Sequence, residues 1–231
     1  MATHNKNLSP KFSEYEQFAH IVSHDLKSPL RNIGSYAQLL KRRYEHSLDT
    51  DAHEFLDYIV NNAELMNVFL TDMLELSSIV RDNDRQTVDL NQVVNRVRTD
   101  LQFSIFKNEA EIEVGEMPTL AVYPNVQQLL HHLVDNGLKY RNGRAPRIKI
   151  AAQPIDNEHI WQFSVADNGV GLDEVYHEKV FLPFQRIEHR DRPGSGMGLA
   201  ICRKVVQLHG GRIWYNRNTE GGTTFHFTIP Q

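Results

Sequence analysis

The chain has a single cysteine, Cys202, in 231 residues. An intramolecular disulfide framework is therefore excluded, and a reducing, cytoplasmic setting is expected. Long hydrophobic runs are also missing: none approaches the roughly 20 apolar residues of a membrane-spanning helix. The N-terminus, MATHNKNLSP, has no signal-peptide core. Nor does one sign of charge dominate. With 25 basic and 29 acidic residues the formal charge is −4, which argues against the broad basic field of a nucleic-acid binder. The 12 histidines show no HExxH spacing and have no companion cysteines, so a metal site built from histidine alone is not expected. What remains is ordinary globular composition, 40% hydrophobic and 23% charged. Its length suits one large domain or two modest ones.

The first third reads as helix. Residues 12–45 contain one glycine, Gly34, and one proline, Pro29, with long polar side chains between apolar positions. A second helix is expected to start near Asp49 or Thr50, both good N-caps. Its apolar seam, Phe55, Ile59, Asn62, Met66, Phe69, Met73 and Leu76, alternates spacings of four and three, a heptad interrupted by one polar residue. Leu56, Leu65 and Leu70 widen that face beyond a two-stranded stripe. The plainer reading is a lone hairpin packed on the rest of the chain. Two helices cannot cover so wide a face, however, so two copies forming a four-helix bundle are the preferred expectation.

The polar segment RDND (81–84) has no periodicity and reads as a linker. The expected organisation is a tail at 1–12, a helical hairpin at 13–80, a linker at 81–85 and a second domain at 86–231. In that domain, 88–106 reads as helix after a short strand, and 125–140 as helix after Pro124. EIEVGE (111–116), RIKIAA (147–152) and IWQFSVAD (160–167) alternate like strands. A glycine-rich stretch leads into a helix at 199–208 that ends at Gly210 and Gly211. RIWYNR (212–217) and TTFHFTI (223–229) read as a terminal hairpin. Mixed helices and strands imply an α/β sandwich, with helices on one face of a mixed sheet.

Four segments could carry chemistry. SHDLKSPL (23–30) places His24 and Asp25 just before Pro29, whose presence inside a helix costs roughly 3 kcal/mol and needs a reason. By itself, a helical His beside Asp is a solvated surface pair. LHHLVDNGLKY (130–140) puts Asn136 and Lys139 on one helical face; the bland alternative is a core helix with its polar groups facing water. DNGVG (167–171) follows a strand and lets backbone approach a ligand, although DNG alone is a common turn. GSGMGL (194–199) opens a helix with free N–H groups, a natural phosphate cradle. It is not a dinucleotide fingerprint, since it lacks both the GxGxxG spacing and a preceding first strand.

Each segment alone is weak, but their order is informative. SHDLKSPL, LVDNGLKY, DNGVGL, FLPF (181–184) and GSGMGLAI resemble, in sequence, the H, N, G1, F and G2 boxes of sensor histidine kinases. The resemblance runs from about Phe18 to the C-terminus. It implies a dimeric helical hairpin bearing a phosphorylated histidine, followed by a Bergerat-type ATP-binding α/β domain. The activity implied is that of a two-component transferase, passing phosphate from ATP to His24 and on to an aspartate of a response regulator.

By the same resemblance, His24 is the phospho-acceptor, and Asp25 orients and activates its imidazole. Asn136 is the Mg²⁺ ligand, Lys139 contacts phosphate and Tyr140 flanks adenine. Asp167 accepts from the adenine amine, and Gly169 and Gly171 let the base approach the backbone. Gly194, Gly196 and Gly198 form the hinge of a mobile lid and its phosphate contacts. Phe181 and Phe184 stand at the lid's other root, and Arg186 is a γ-phosphate contact.

Three positions depart from the family pattern. His132 stands where an extra Asn is usual, Asp25 replaces the commoner Glu, and Ser28 occupies a phosphatase position more often held by Thr or Asn. Two readings from other classes remain: a Bergerat-fold ATPase or serine kinase, and a scaffold that only dimerises. The hairpin with His24, Asp25 and Pro29 argues against the first. The intact Asn136, Asp167 and lid glycines argue against the second. About a dozen residues precede the first helix, too few for a sensor, so input is expected from a separate protein or from a domain outside this sequence.

Overall fold

The structure, a computed structural model, describes residues 14–79, 84–155, 159–186 and 194–231; for 14–24 it describes the backbone alone. The chain divides into two compact units, one ending at Ser78 and the other beginning at Ile79.

The first unit is a helical hairpin of α1 (Glu14–Arg43) and α2 (Thr50–Ser78). Helix α1 runs through Pro29. Helix α2 is capped by Asp49, whose Oδ1 accepts the Ala52 N–H at 2.8 Å. The two helices close on a narrow strip of mostly small residues. Leu30, Ala37 and Ala63 are buried, and a Cβ on Gly34 would lie 3.5 Å from that of Ala63. The wide seam anticipated on α2 is not what closes the hairpin. Phe55, Ile59 and Met66 remain exposed, as do Ile33, Tyr36 and Leu39 on α1. Asn62 is exposed, and its Nδ2 donates to the Tyr58 carbonyl of its own helix at 2.7 Å.

The second unit runs β1 (Gln86–Asp89), α3 (Leu90–Asp100), α4 (Gln102–Lys107), β2 (Glu111–Val114), β3 (Thr119–Val122), α5 (Val126–Lys139), β4 (Arg147–Ile155) and β5 (Ile160–Asp167). Helix α6 (Gly198–Leu208) and the hairpin β6 (Ile213–Arg217) and β7 (Thr223–Pro230) complete it. Among the described residues the main sheet has the order β2-β4-β5-β7-β6, with β2 parallel to β4 and the other pairs antiparallel. That is the mixed sheet expected from the pattern. Strand β3, which pairs with β1 in a separate two-stranded sheet, was not anticipated.

Alternation along the strands points Ile148, Ile150, Phe163, Val165, Phe225 and Phe227 to one face, and all are buried. Phe163 and Phe227 stack with centroids 4.8 Å apart. Helix α5 contributes Leu129, Leu130 and Leu133 to this core, and α6 contributes Ile201, Val205 and Val206. Cys202 is buried, with its Sγ 3.7 Å from the Leu129 carbonyl.

The linker assignment for 81–85 needs one correction, at Arg85; residues 81–83 lie outside the described residues. Arg85 donates to the Pro230 carbonyl at 2.9 Å and to the His209 carbonyl at 2.8 Å. Its guanidinium lies 5.4 Å from the Tyr123 ring centre. A residue so fastened belongs to the second unit. Sequence could not show this, because its hydrogen-bond partners lie more than a hundred residues away.

Candidate active site

Asp167 is the last residue of β5, in the middle of the sheet. It continues the Phe163–Val165 alternation, so its side chain falls on the helix-covered face. Helix α5 comes down close beside it because position 137 is glycine: a Cβ there would sit 3.0 Å from Ile148 Cδ1 and 3.4 Å from Asp167 Cβ. Asn136, its neighbour on α5, is half-buried.

The Asp167 carboxylate accepts N–H groups from Gly169 at 2.8 Å and from Thr223 at 3.2 Å. Burial pushes its pKa up, and the two N–H donors pull it back only in part. Among the described residues both bonds go to Oδ1. A half-buried carboxylate held in this way suits recognition of an N–H-bearing ring.

The glycines of DNGVG are required by the protein's own backbone. A Cβ on Gly169 would come within 2.4 Å of the Tyr140 carbonyl, and the Val170 N–H donates to that same carbonyl at 3.0 Å. Gly171 has φ +77°, and a Cβ there would meet the Gly221 carbonyl at 2.5 Å. Tyr140, the C-cap of α5, is thus locked to the loop after Asp167. Asn168 points its amide elsewhere, accepting from the Arg147 N–H at 2.8 Å and donating to the Ala145 carbonyl at 3.0 Å.

The glycine-rich segment meets helix α5 and the residues that follow Phe184. Gly196 has φ +74°, and a Cβ there would lie 2.7 Å from the Gln185 carbonyl and 3.1 Å from Arg186 Cγ. Ser195 is buried and its Oγ accepts the Met197 N–H at 3.0 Å. Gly198, the first residue of α6, faces the His132 ring, whose Nδ1 would lie 3.1 Å from a Cβ at that position. His132 on α5 therefore stands against the N-terminus of α6, the positive end of that helix. Gly194 has open space around it. Phe181 is buried near Tyr215. Phe184 is exposed and holds φ +63°, a strained backbone for a bulky residue.

Direct contacts therefore join Tyr140, Asp167 and Gly169, with Asn136 tied in through its carbonyl, which accepts the Tyr140 N–H at 2.9 Å; Gly196 meets Arg186, and Gly198 meets His132 of the same helix α5. Lys139 is paired with Asp135 across one helical turn, Nζ to Oδ2 at 2.5 Å. The sequence reading missed Gly137, Thr223 and Asn218, the last of which donates to the Asp167 main chain at 2.7 Å. The signal for Thr223 was present in the run GGTTF, which was read only as hairpin.

On the first unit, His24 lies in α1, with exposed Asp25 beside it and exposed Ser28 one turn later. His24 and Ser28 share a helical face by their spacing.

Comparison with known proteins agrees with this division. Residues 14–82 match the His Kinase A (phospho-acceptor) domain. Residues 121–231 match the family described as histidine kinase-, DNA gyrase B-, and HSP90-like ATPase. The phytochrome-like protein Cph1 from Synechocystis sp. (strain ATCC 27184 / PCC 6803 / Kazusa) is 39% identical over 97% of this chain. The chain spans only 30% of that relative's length. Among solved structures, full-length ShkA in complex with AMPPNP superposes with a TM-score of 0.66, covering 93% of this chain and 46% of ShkA at 22% identity. The histidine kinase ThkA in complex with the response regulator TrrA gives 0.64, covering 97% of this chain and 68% of that one, also at 22% identity. With a phospho-acceptor hairpin followed by an ATPase domain of the histidine kinase type, the chain belongs to the sensor histidine kinases.

Proposed function

We propose that this chain is the catalytic part of a two-component system: it phosphorylates His24 from ATP and passes the phosphoryl group to an aspartate of a response regulator. The observation that supports this reading is that helix α5, which carries Asn136, packs against Asp167 at Gly137 and against the first residue of α6, Gly198, at His132, in a chain whose other unit matches a phospho-acceptor domain. The half-buried Asp167 accepts from the adenine amine through Oδ2, a contact guanine could not supply. Tyr140 flanks the base. The N-terminus of α6, with Gly194, Gly196 and Gly198, offers N–H groups and a positive dipole end to the phosphates. Lys139, released from Asp135, and Arg186 add charge there.

Among the described residues no group of three or more His, Cys, Asp or Glu could hold a metal. A single neutral amide oxygen at Asn136 still suits Mg²⁺, which is commonly held by substrate phosphates and few protein ligands. When bound, Mg²⁺ neutralises charge on the transferring phosphoryl group.

At His24, one imidazole nitrogen attacks the γ-phosphorus in line. The bond to the β–γ bridging oxygen breaks and ADP leaves with that electron pair. Asp25 accepts the hydrogen bond of the other ring nitrogen and steadies the positive charge that develops. Transfer to the regulator then moves the phosphoryl group from nitrogen to a carboxylate oxygen, the partner class seen bound to ThkA.

The exposed apolar face of the hairpin supports a homodimer. The lone buried Cys202 supports a reducing, cytoplasmic setting, and no helix among the described residues is long and apolar enough to cross a membrane.

Incubation with γ-labelled ATP tests the reading. The label should be acid-labile and alkali-stable, as a phosphoramidate is; a phosphoserine would behave oppositely and a scaffold would stay unlabelled.

A further inference from the structure

The β5–β7 ladder ends at the pair Ala166 and Thr224, one residue short of Asp167. The Asp167 carbonyl therefore has no ladder partner from β7. Asn218 supplies the donor, its Nδ2 lying 2.7 Å from that oxygen. The same side chain accepts the Glu220 N–H through Oδ1 at 3.2 Å. Around it the turn closes on itself: Asn218 N–H donates to the Gly222 carbonyl at 3.0 Å, and Gly221 N–H to the Asn218 carbonyl at 3.1 Å. Gly222 presses so closely on Asp167 that a Cβ would fall 2.1 Å from the same carbonyl. The next residue, Thr223, holds the carboxylate. One turn thus grips both the main chain and the side chain of Asp167. An amide side chain can donate to Asp167 through its nitrogen and accept from Glu220 through its oxygen at once.

We propose that Asn218 is a positioning residue for nucleotide recognition: by fastening the β6–β7 turn to the Asp167 main chain, it sets the direction in which the Asp167 carboxylate meets the adenine exocyclic amine. This deepens the nucleotide reading above and rests on it. Asn218 touches no ligand itself and acts through Asp167. A charged hydrogen bond is sharply directional, so a tilt of Asp167 weakens the amine contact before it weakens anything else in the pocket.

The test titrates the full chain with ATP and with purine riboside triphosphate, whose ring lacks the exocyclic amine. The parent should prefer ATP by about tenfold or more, the worth of a hydrogen bond to a charged group. Asn218→Ala should lose about tenfold in ATP affinity while the amine-free nucleotide changes by no more than about twofold, so that the preference collapses. Asn218→Asp keeps the acceptor for Glu220 but sets an oxygen against the Asp167 carbonyl. It should show the same collapse with the turn intact, and it decides the matter if the alanine variant does not fold. Variants that keep the parent's preference overturn the proposal. So does an equal loss for both nucleotides, which is the mark of a merely structural role. A parent that binds ATP without preferring it overturns the adenine role of Asp167 itself, and a parent that binds neither overturns the nucleotide reading.

Discussion

The Gly169 N–H donates to Asp167 Oδ1 at 2.8 Å, yet burial still holds the Asp167 carboxyl above its usual pKa. Desolvation of the charge outweighs two backbone donors, so the apo fold carries a cost for keeping this site ionised.

Asp167→Asn should separate folding from binding. A carboxyl with a raised folded pKa contributes stability that is present below the ordinary carboxylate range and lost as pH rises through the raised value. A neutral amide avoids that loss while its oxygen still accepts from Gly169 and Thr223. The variant's thermal midpoint should equal or exceed the parent's at pH 7, and the advantage should vanish in acid. ATP affinity should nevertheless fall by about 10- to 150-fold, or about 1.5–3 kcal/mol. Melting curves at both pH values and calorimetry check the two halves; a lower midpoint at pH 7 would contradict the burial argument.

His209 should make the second unit acid-sensitive. It is 1% exposed, its Nδ1 lies 2.8 Å from the Val205 carbonyl, and its Nε2 accepts the Tyr123 N–H at 3.0 Å. One nitrogen must donate and the other accept, so the ring is neutral. Burial lowers its pKa first and the Arg85 charge helps, against the Val205 carbonyl, which raises it. A lowered histidine pKa means the unfolded chain binds the extra proton, so stability is lost as pH falls below about 6.5. His226 is depressed by burial in the same direction and contributes in parent and variant alike. Urea midpoints measured from pH 7 to pH 5 should fall more steeply for the parent than for His209→Gln. Parallel slopes would remove His209 from the account.

The outline of both units was legible because local signals carry it. Asp49 announced the start of α2, the alternation in 160–167 announced β5, and the glycines after Leu208 announced the end of α6. Strand β3 was hidden: its four residues, in the five-residue stretch between Pro118 and Pro124, are too few to show a period. The site motifs were readable as types, but their supports were not. Gly169 and Gly171 read as room for a ligand, whereas the Tyr140 and Gly221 carbonyls are what demand glycine there. Asn218 lies 51 residues from Asp167 in sequence, and nothing local marks it. Of the α2 seam, Phe55, Ile59 and Met66 stay exposed, and the hairpin closes instead on small residues, at the contact of Gly34 with Ala63.

The exposed seam predicts association. Phe55, Ile59 and Met66 are 65%, 43% and 48% exposed on the single chain, a contiguous apolar face of the kind that marks a protein interface. The full chain should sediment at twice its 26.7 kDa mass at micromolar concentration. Replacing Ile59 and Met66 by Glu should give a folded monomer, because neither side chain closes the hairpin. A parent that sediments as a monomer would refute the dimer.

Ser28 should make regulator dephosphorylation slow relative to forward transfer. Its hydroxyl can hydrogen-bond an attacking water but lacks the β-methyl that restricts Thr to few rotamers. Misplacing a positioning group by about 1 Å can cost on the order of 100-fold. Decay of phosphorylated regulator should therefore quicken with Ser28→Thr, measured in the His24→Gln background to block forward transfer. Equal decay with Ser and Thr would show that rotamer restriction does not matter here.

The central claim, that this chain moves the γ-phosphoryl group of ATP onto His24, is tested most directly by comparing His24→Gln with the parent in two assays on the same preparations. Acid-labile incorporation from γ-labelled ATP should vanish in the variant, while ATP affinity by calorimetry stays within about threefold of the parent, because His24 lies on the hairpin and the nucleotide residues lie in the second unit. Persistent acid-labile label on the variant would place the acceptor elsewhere and contradict the account.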